Sequence, residues 1–225
     1  YERALRLHRG RFNKDNLKLV PFLIREEAFS VPRDKALNRR KLGFDENKFT
    51  VVLAEGGYGI GKMQKICEKA IERDLPVTLV PICGKNEELY AYLKGLKTNG
   101  SLDFRPQGFV GDIFTYLAAA DLFCGKSGAS MMAEPSFFGV PIIITKYATK
   151  IERFIGKYYT DTVKSAIKEF EPGKVVDLIG KFAVDPELLQ PYRAAAEAQR
   201  GNYGPEKTAR LIFDLLKTKF PELNE

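Results

Sequence analysis

The chain has 225 residues and a mass of 25.4 kDa, 44% of them hydrophobic and 29% charged, which suits one sizeable domain or one domain plus part of another. No apolar run approaches the roughly 18–20 residues of a membrane-spanning helix, no signal peptide opens the sequence, and apolar residues are too plentiful for a disordered chain. The formal net charge of +7 is localised: residues 1–42 hold 12 Lys/Arg against 5 Asp/Glu, and the rest of the chain is neutral.

A basic segment of this kind suits contact with anionic head groups or nucleic-acid phosphates, or is a solvated surface. It lacks the aromatic interleaving of single-strand binders, so no nucleic-acid partner is expected. Cys67, Cys83 and Cys124 are widely spaced within apolar stretches. They read as reduced core thiols of a cytoplasmic protein, not as disulfides or a zinc site. The one histidine, His8, lies in the basic segment, so a mechanism built on a histidine base or ligand cluster lacks its parts here.

In chain order, RALRLHR (3–9) reads as a helix, LKLVPF (17–22) as a strand, and PRDKALNRRKLG (32–43) as a helix opened by Pro32 and closed by Gly43. From residue 49 the pattern alternates. FTVVLAE (49–55) is a strand, followed by glycines and a helix from about 60 to 73. PVTLVPIC (76–83) is the next strand, then come a helix at 86–97, a short strand near 101–104 and a helix at 111–119. DLFCG (121–125) and VPIIIT (140–145) are strands around a helix at 128–138, and helices follow at 172–183, 186–199 and 205–219. Short apolar runs separated by helices predict parallel strands covered on both faces, hence a Rossmann-like, doubly wound α/β sheet. Residues 1–45 read as the tail and linker of a preceding domain, and 46–225 as the α/β domain with its C-terminal helices.

Two loops stand where such a fold binds ligands, at the carboxyl ends of strands. EGGYGIGK (55–62) joins a strand to a helix whose free N–H groups favour an anion by about 0.3–1 kcal/mol. It is not a nucleotide-triphosphatase phosphate loop, because Met63 stands where Ser/Thr would ligate Mg²⁺, and Glu55 adds a negative charge. It also misses the dinucleotide spacing, with Lys62 in place of the last glycine; a plain tight turn is the alternative. In GKSGASMMAEP (125–135), Ser127 reads as a helix N-cap and Gly128 as a point of close backbone approach. Glu134 is placed to accept two hydrogen bonds from a vicinal diol such as ribose, or is simply solvated. In GFVGD (108–112) the backbone can pair with a base edge, and Phe109 covers a ring or packs in the core.

The order GGYGIGK, PICGKNEEL, GFVGDIFTYLAAADLFCGKSGASMMAE and FGVPIII resembles the donor-binding half of GT-B glycosyltransferases, closest to family twenty-eight. That group holds diacylglycerol glycosyltransferases and the peptidoglycan N-acetylglucosaminyltransferase. The resemblance covers roughly 17–219, its most specific part being AAADLxxxKSGxxxxxE with the following GVP. It implies an inverting, metal-independent enzyme moving a hexose from a UDP-sugar to a lipid hydroxyl. Gly57 and Gly59 would border the donor diphosphate, and Ser127, Gly128 and Ala129 would donate to it. Glu134 would hold the ribose, the Phe109–Val110 backbone would read uracil, and Arg25 would match the family's interdomain arginine. After VPIIIT the family's sugar-binding segment is replaced by KYATKIERFIG (146–156), which keeps at most Glu152 in register.

The resemblance also implies an N-terminal acceptor domain, missing here, that carries the general base and peripheral contact with the cytoplasmic membrane face. By this reading no catalytic residue is assigned within the chain, and the chain alone binds UDP but transfers little sugar. A separate donor-binding subunit recruiting a membrane-anchored partner, and a non-catalytic nucleotide or nucleic-acid binding module, are the alternatives.

Overall fold

The computed structural model describes residues 18, 20–57, 61–98 and 100–220. The helix expected at 3–9, with His8, and Gly59 of the first loop lie outside them. The chain divides into two compact units, one of residues 27–201 and one that joins the N-terminal stretch to residues 202–225.

The larger unit is a six-stranded, wholly parallel sheet with helices on both faces. After a single helical turn, α1 (Glu27–Ser30), and helix α2 (Lys35–Leu42), it runs β1 (Thr50–Ala54), α3 (Met63–Glu72), β2 (Thr78–Ile82) and α4 (Glu87–Gly95). Then follow β3 (Asp103–Phe104), α5 (Ile113–Ala119), β4 (Leu122–Lys126), α6 (Ala129–Phe137), β5 (Ile142–Lys146) and α7 (Lys150–Lys157). A π-helical turn (Tyr158–Val163), β6 (Ala166–Lys168), α8 (Pro172–Val184), a 3₁₀ turn (Pro186–Leu189) and α9 (Gln190–Ala198) complete it. The strand order is β3-β2-β1-β4-β5-β6, so the winding reverses between β1 and β4, where Ala54 is paired with Gly125. Every residue of β1 and β2 is buried, as strands sandwiched between helix layers must be. Alternate strand residues, Val51, Leu53, Leu79 and Cys124 among them, meet Ile66, Cys67 and Ala70 of α3 and Val175 and Ile179 of α8 in one core. The doubly wound α/β expectation therefore holds.

Two features differ from the expectation. Residues 150–168 carry α7, the π turn and β6, none of which the pattern announces. At three residues β6 is too short to show a period, and it pairs only with β5. The helix expected from 186 starts at Gln190 after a 3₁₀ turn, because Pro191 in its first turn has no N–H to donate to a preceding helical carbonyl. The larger compact unit begins at Glu27. Its early helix α2 is fastened by the buried Asp121, whose carboxylate accepts from Lys35 Nζ (2.9 Å), Arg39, Arg193 (3.3 Å) and the Thr50 N–H (2.9 Å).

In the smaller unit Phe22 bridges Tyr203. Its N–H donates to the Asn202 carbonyl (2.9 Å), and its own carbonyl accepts from Gly204 N–H (3.0 Å). Among the described residues that bridge is all that forms of the strand expected at 17–22. Helix α10 (Glu206–Lys219) belongs here, with Ile212, Phe213 and Leu216 exposed. No helix of the described residues is long and apolar enough to cross a membrane.

Candidate functional site

The carboxyl ends of β1 and β4 meet at the reversal point, the place where open α/β sheets take ligands. At β1 the chain turns through Gly56, whose φ of +86° suits only glycine; a Cβ there would lie 2.9 Å from Lys126 Cε. Gly57 is exposed, and its carbonyl accepts from Lys85 N–H (2.7 Å), tying this turn to the end of β2.

Glu55 changes the reading of the first loop. Its buried carboxylate accepts from the N–H groups of Lys62 (2.9 Å) and Met63 (2.9 Å) and from Thr145 Oγ1 (3.1 Å). The charge that looked unhelpful beside a phosphate is the anion at the N-terminus of α3. The fit is close enough that a Cβ on Gly61 would collide with the carboxylate. Lys62 turns its ammonium to the Phe170 carbonyl, so it is not poised over the loop as a phosphate-loop lysine is.

The helices that follow the other strands show the same arrangement. Asn86 caps α4 at Leu89 N–H (2.9 Å), and Asp112 caps α5 at Thr115 N–H (3.1 Å). Thr149 caps α7 at Glu152 N–H (3.1 Å), and Glu171 caps α8 at Gly173 and Lys174 (2.9 and 2.7 Å). Helix α6 is different. Its N-cap is Gly128, and among the described residues no side chain is seen to accept from its first-turn N–H groups. Ser127, expected as the N-cap, instead spends its buried hydroxyl on the Glu152 carbonyl (2.8 Å). Among the described strand-following helices, α6 alone presents an unfilled, electropositive N-terminus, and it does so at the reversal point.

Around that terminus, Lys126 ends β4 and pairs with Glu152 Oε1 (2.9 Å), while Glu152 Oε2 accepts from Ala148 N–H (2.7 Å). Burial pushes the Glu152 carboxyl up, but the hydrogen bonds from Lys126 and Ala148, with the Lys126 and Lys146 charges, bring it below the ordinary carboxylate range. Glu152 is thus held ionised within reach of Gly128, its Oε1 3.9 Å from where a Gly128 Cβ would stand. Sequence reasoning passed over Lys126, although a lysine directly after an apolar strand and before Ser-Gly is a usable signal.

The remaining expected residues of the larger unit lie in the loops and helix that follow β3 and β4. Ala129 is the first residue of α6, and Glu134, half-buried, lies further along the same helix. Phe109 is 70% exposed, which excludes the core-packing alternative, and Val110 is half-buried. Their loop follows Gln107, whose backbone is bonded to Cys83 N–H (2.9 Å) and to the Pro81 carbonyl (2.8 Å) at the end of β2. Arg25 is exposed and belongs to the smaller unit. The three cysteines are free and buried. Burial pushes the Cys83 thiol up to about 11 and the Cys67 and Cys124 thiols up as well, so all three stay protonated and inert.

No family model matches the chain. It is 27% identical over 154 residues to monogalactosyldiacylglycerol synthase 1 of Arabidopsis thaliana, covering 65% of this chain and 28% of that protein. It is 28% identical over 143 residues to a processive diacylglycerol beta-glucosyltransferase of Bacillus pumilus, covering 63% and 36%. A third relative is the UDP-N-acetylglucosamine–N-acetylmuramyl-(pentapeptide) pyrophosphoryl-undecaprenol N-acetylglucosamine transferase of Thermus thermophilus, 28% identical over 135 residues, covering 60% and 37%. The chain spans about a third of the length of these relatives. Among solved structures, Anabaena HepE in complex with UDP and glucose superposes with a TM-score of 0.60 at 19% identity, covering 87% of this chain and 53% of that one. MurG of Acinetobacter baumannii does so at 0.58 and 15%, covering 80% and 53%. The relatives are glycosyltransferases of the family that the loop motifs resemble, and the fold is the Rossmann-like half of a GT-B glycosyltransferase.

Proposed function

We propose that this relative of the GT-B glycosyltransferases is the donor-binding part of an inverting enzyme that moves a hexose from a UDP-sugar to a lipid hydroxyl. The observation that carries the reading is the uncapped N-terminus of α6. Among the described residues every other strand-following helix has its N-terminus filled by a side chain, whereas the first-turn N–H groups of α6 are left for an external acceptor. A diphosphate seated there is held by backbone donors and the helix dipole, which neutralise the leaving group without a metal ion. Gly128 and Ala129 provide the backbone, Gly57 borders the opposite side, and the loop at Phe109 and Val110 offers a wall and backbone groups for the base. Glu134, further along the helix, takes the ribose hydroxyls. Glu152, held ionised by Lys126, takes a hydroxyl of the sugar. Ser127 acts by positioning, fastening the loop to α7 through the Glu152 carbonyl.

The UDP donor and lipid acceptor are supported by the names of the relatives, two built on diacylglycerol and one on UDP-N-acetylglucosamine and a undecaprenol carrier. In this reading the acceptor domain and the general base lie outside the chain, together with any contact with the cytoplasmic membrane face.

The test is calorimetric titration of the chain with UDP, with ADP and GDP as controls. UDP has about 25 non-hydrogen atoms, and at about 0.3 kcal/mol each the dissociation constant is low micromolar at its tightest. Uridine-selective binding that weakens in Glu134→Ala supports the reading. Equal binding of all three nucleotides, or affinity unchanged by Glu134→Ala and by Gly128→Asp, overturns it.

A further inference from the structure

A cleft of about 480 Å³ is lined by Tyr147 and Phe170, by Arg153 and Lys157 of α7, by Thr160 and Asp161 of the π turn and by Lys168 of β6. Helix α7 turns Glu152 and Gly156 inward toward the β4–α6 loop, and a Cβ on Gly156 would stand 3.2 Å from Ser127 Cβ. Arg153 and Lys157, one turn apart on the same helix, line the cleft, as does the exposed Lys168 of β6.

The charges there are unbalanced. Arg153, Lys157 and Lys168 take part in no ion pair among the described residues. The one carboxylate lining the cleft, Asp161, accepts from the neighbouring Thr160 hydroxyl (2.6 Å). Like charges spaced four apart on a helix repel, and a third cation lining the cleft adds to the repulsion; a bound anion relieves both.

The walls are also built. Tyr147 and Phe170 meet edge to face at 4.9 Å, and the Tyr147 ring rests against Gly156, where a Cβ would come within 2.5 Å of it. Burial first, then the Asp161 carboxylate, push the Tyr147 phenol up, so it keeps its proton and serves as a donor. The π-helical turn after α7, a geometry that recurs at functional sites, carries Thr160 and Asp161 to the rim and ends at Lys164 in the left-handed region (φ 64°).

We propose that this cleft binds a phosphate monoester, its dianion held by Arg153, Lys157 and Lys168 and its organic part lying against Tyr147 and Phe170. The volume suits a monosaccharide-sized group, at the lower end of small-molecule sites. Its lining shares no residue with the uncapped terminus of α6, and the proposal does not rest on the donor reading.

The test is two-dimensional NMR of the ¹⁵N-labelled chain, titrated with inorganic phosphate and with glucose 6-phosphate at about 50 mM salt, where screening is modest. Glucose 6-phosphate is expected to shift the amides of residues 147–161 and 168–170 at millimolar concentration, and more tightly than inorganic phosphate. The double variant Arg153→Gln/Lys157→Gln is expected to weaken it about tenfold or more, and Lys168→Gln to weaken it as well. These side chains are exposed, so an unchanged melting temperature is expected to show that the variants fold. Absence of localised shifts up to about 20 mM, a dissociation constant near 2.3 kcal/mol of binding, overturns the proposal, as do shifts that survive in the double variant. Flotation with phosphatidylcholine vesicles containing phosphatidic acid distinguishes the sources. Capture that depends on the same three cations assigns the ester to a lipid head group, and binding of glucose 6-phosphate without capture assigns it to a soluble sugar phosphate. UDP affinity is expected to be unchanged in these variants, so the failure of either site is read independently.

Discussion

The Lys126 ammonium lies 2.9 Å from Glu152 Oε1, joining the last residue of β4 to the first turn of α7 across the uncapped end of α6. The side chains are 26% and 11% exposed, so each is partly cut off from water and neither is easily left alone. Removing one partner strands the other. Lys126→Ala is expected to destabilise the chain by about 1–3 kcal/mol in urea unfolding. The double variant Lys126→Ala/Glu152→Ala is expected to fall short of the sum of the single effects; strict additivity in a double-mutant cycle would show that the two side chains do not act together.

Glu55 caps α3 from a position eight residues before the second N–H it receives. Glu55→Ala leaves two N–H groups and the Thr145 hydroxyl without their acceptor. It is expected to lower stability by about 1–3 kcal/mol, whereas Glu55→Gln, which keeps one oxygen, loses less. Equal losses in the two variants would mean that the carboxylate's hydrogen bonds are not what stabilises this turn.

Filling the empty cap of α6 tests what it is for. Gly128 has φ −64° and ψ 154°, a backbone that aspartate adopts freely, and a Cβ there makes only ordinary contact with Met131 at 3.5 Å. Gly128→Asp gains a few tenths of a kcal/mol as a cap and loses a similar amount to Glu152, leaving stability within about 0.5 kcal/mol of the parent. UDP affinity is expected to fall by more than about tenfold, because a carboxylate then occupies the N–H groups proposed for the diphosphate. Calorimetry and thermal melting of the same sample separate the two effects.

One substitution is expected to have opposite signs at two glycines. Gly95 ends α4 with nothing within 4 Å of an added Cβ, so Gly95→Ala should stabilise by up to about 1 kcal/mol. Gly156→Ala brings the same helix preference but drives a methyl into the Tyr147 ring. Overpacking of about 1–3 kcal/mol outweighs it and the variant should melt lower. A higher melting temperature for Gly156→Ala would show that the ring yields freely.

Acid should release α2. Burial pushes the Asp121 carboxyl up, but Lys35, Arg39 and the Thr50 N–H hold it below its ordinary value on balance. A carboxylate with a lowered folded-state value contributes stability that is present above its unfolded value of about 3.9 and disappears as pH falls through the lower folded value. Burial pulls the Lys35 ammonium down, but that group stays charged throughout this range and does not alter the acid limb. Urea midpoints measured downward from about pH 5 should decline for the parent and less steeply for Asp121→Asn. Parallel declines would remove Asp121 as the cause.

The amino-acid sequence by itself determined the layered α/β class, the placing of the loops at 55–62, 108–112 and 125–135 on one edge, and the family to look toward. Each of these rests on short-range information. Apolar runs bounded by glycine, proline and capping residues mark strands and helices, and parallel connectivity puts every strand-to-helix loop on the same side. What the tertiary structure decided is how those loops are occupied. Nothing in EGGYGIGK tells a reader that the Glu55 side chain folds forward onto the next helix, because a cap from that far back exists only once β1, α3 and Thr145 have met. Ser127 looks like an N-cap until α7 brings the Glu152 carbonyl to its hydroxyl, and α7 itself carried no sequence announcement. Lys126 met Glu152, and Tyr147 met Phe170, only through the pairing of β5 with β4 and with the three-residue β6. Local pattern records where backbone donors must stand. Which of them are already satisfied depends on contacts between residues far apart in the chain, and it is the unsatisfied ones that are left open to an external acceptor.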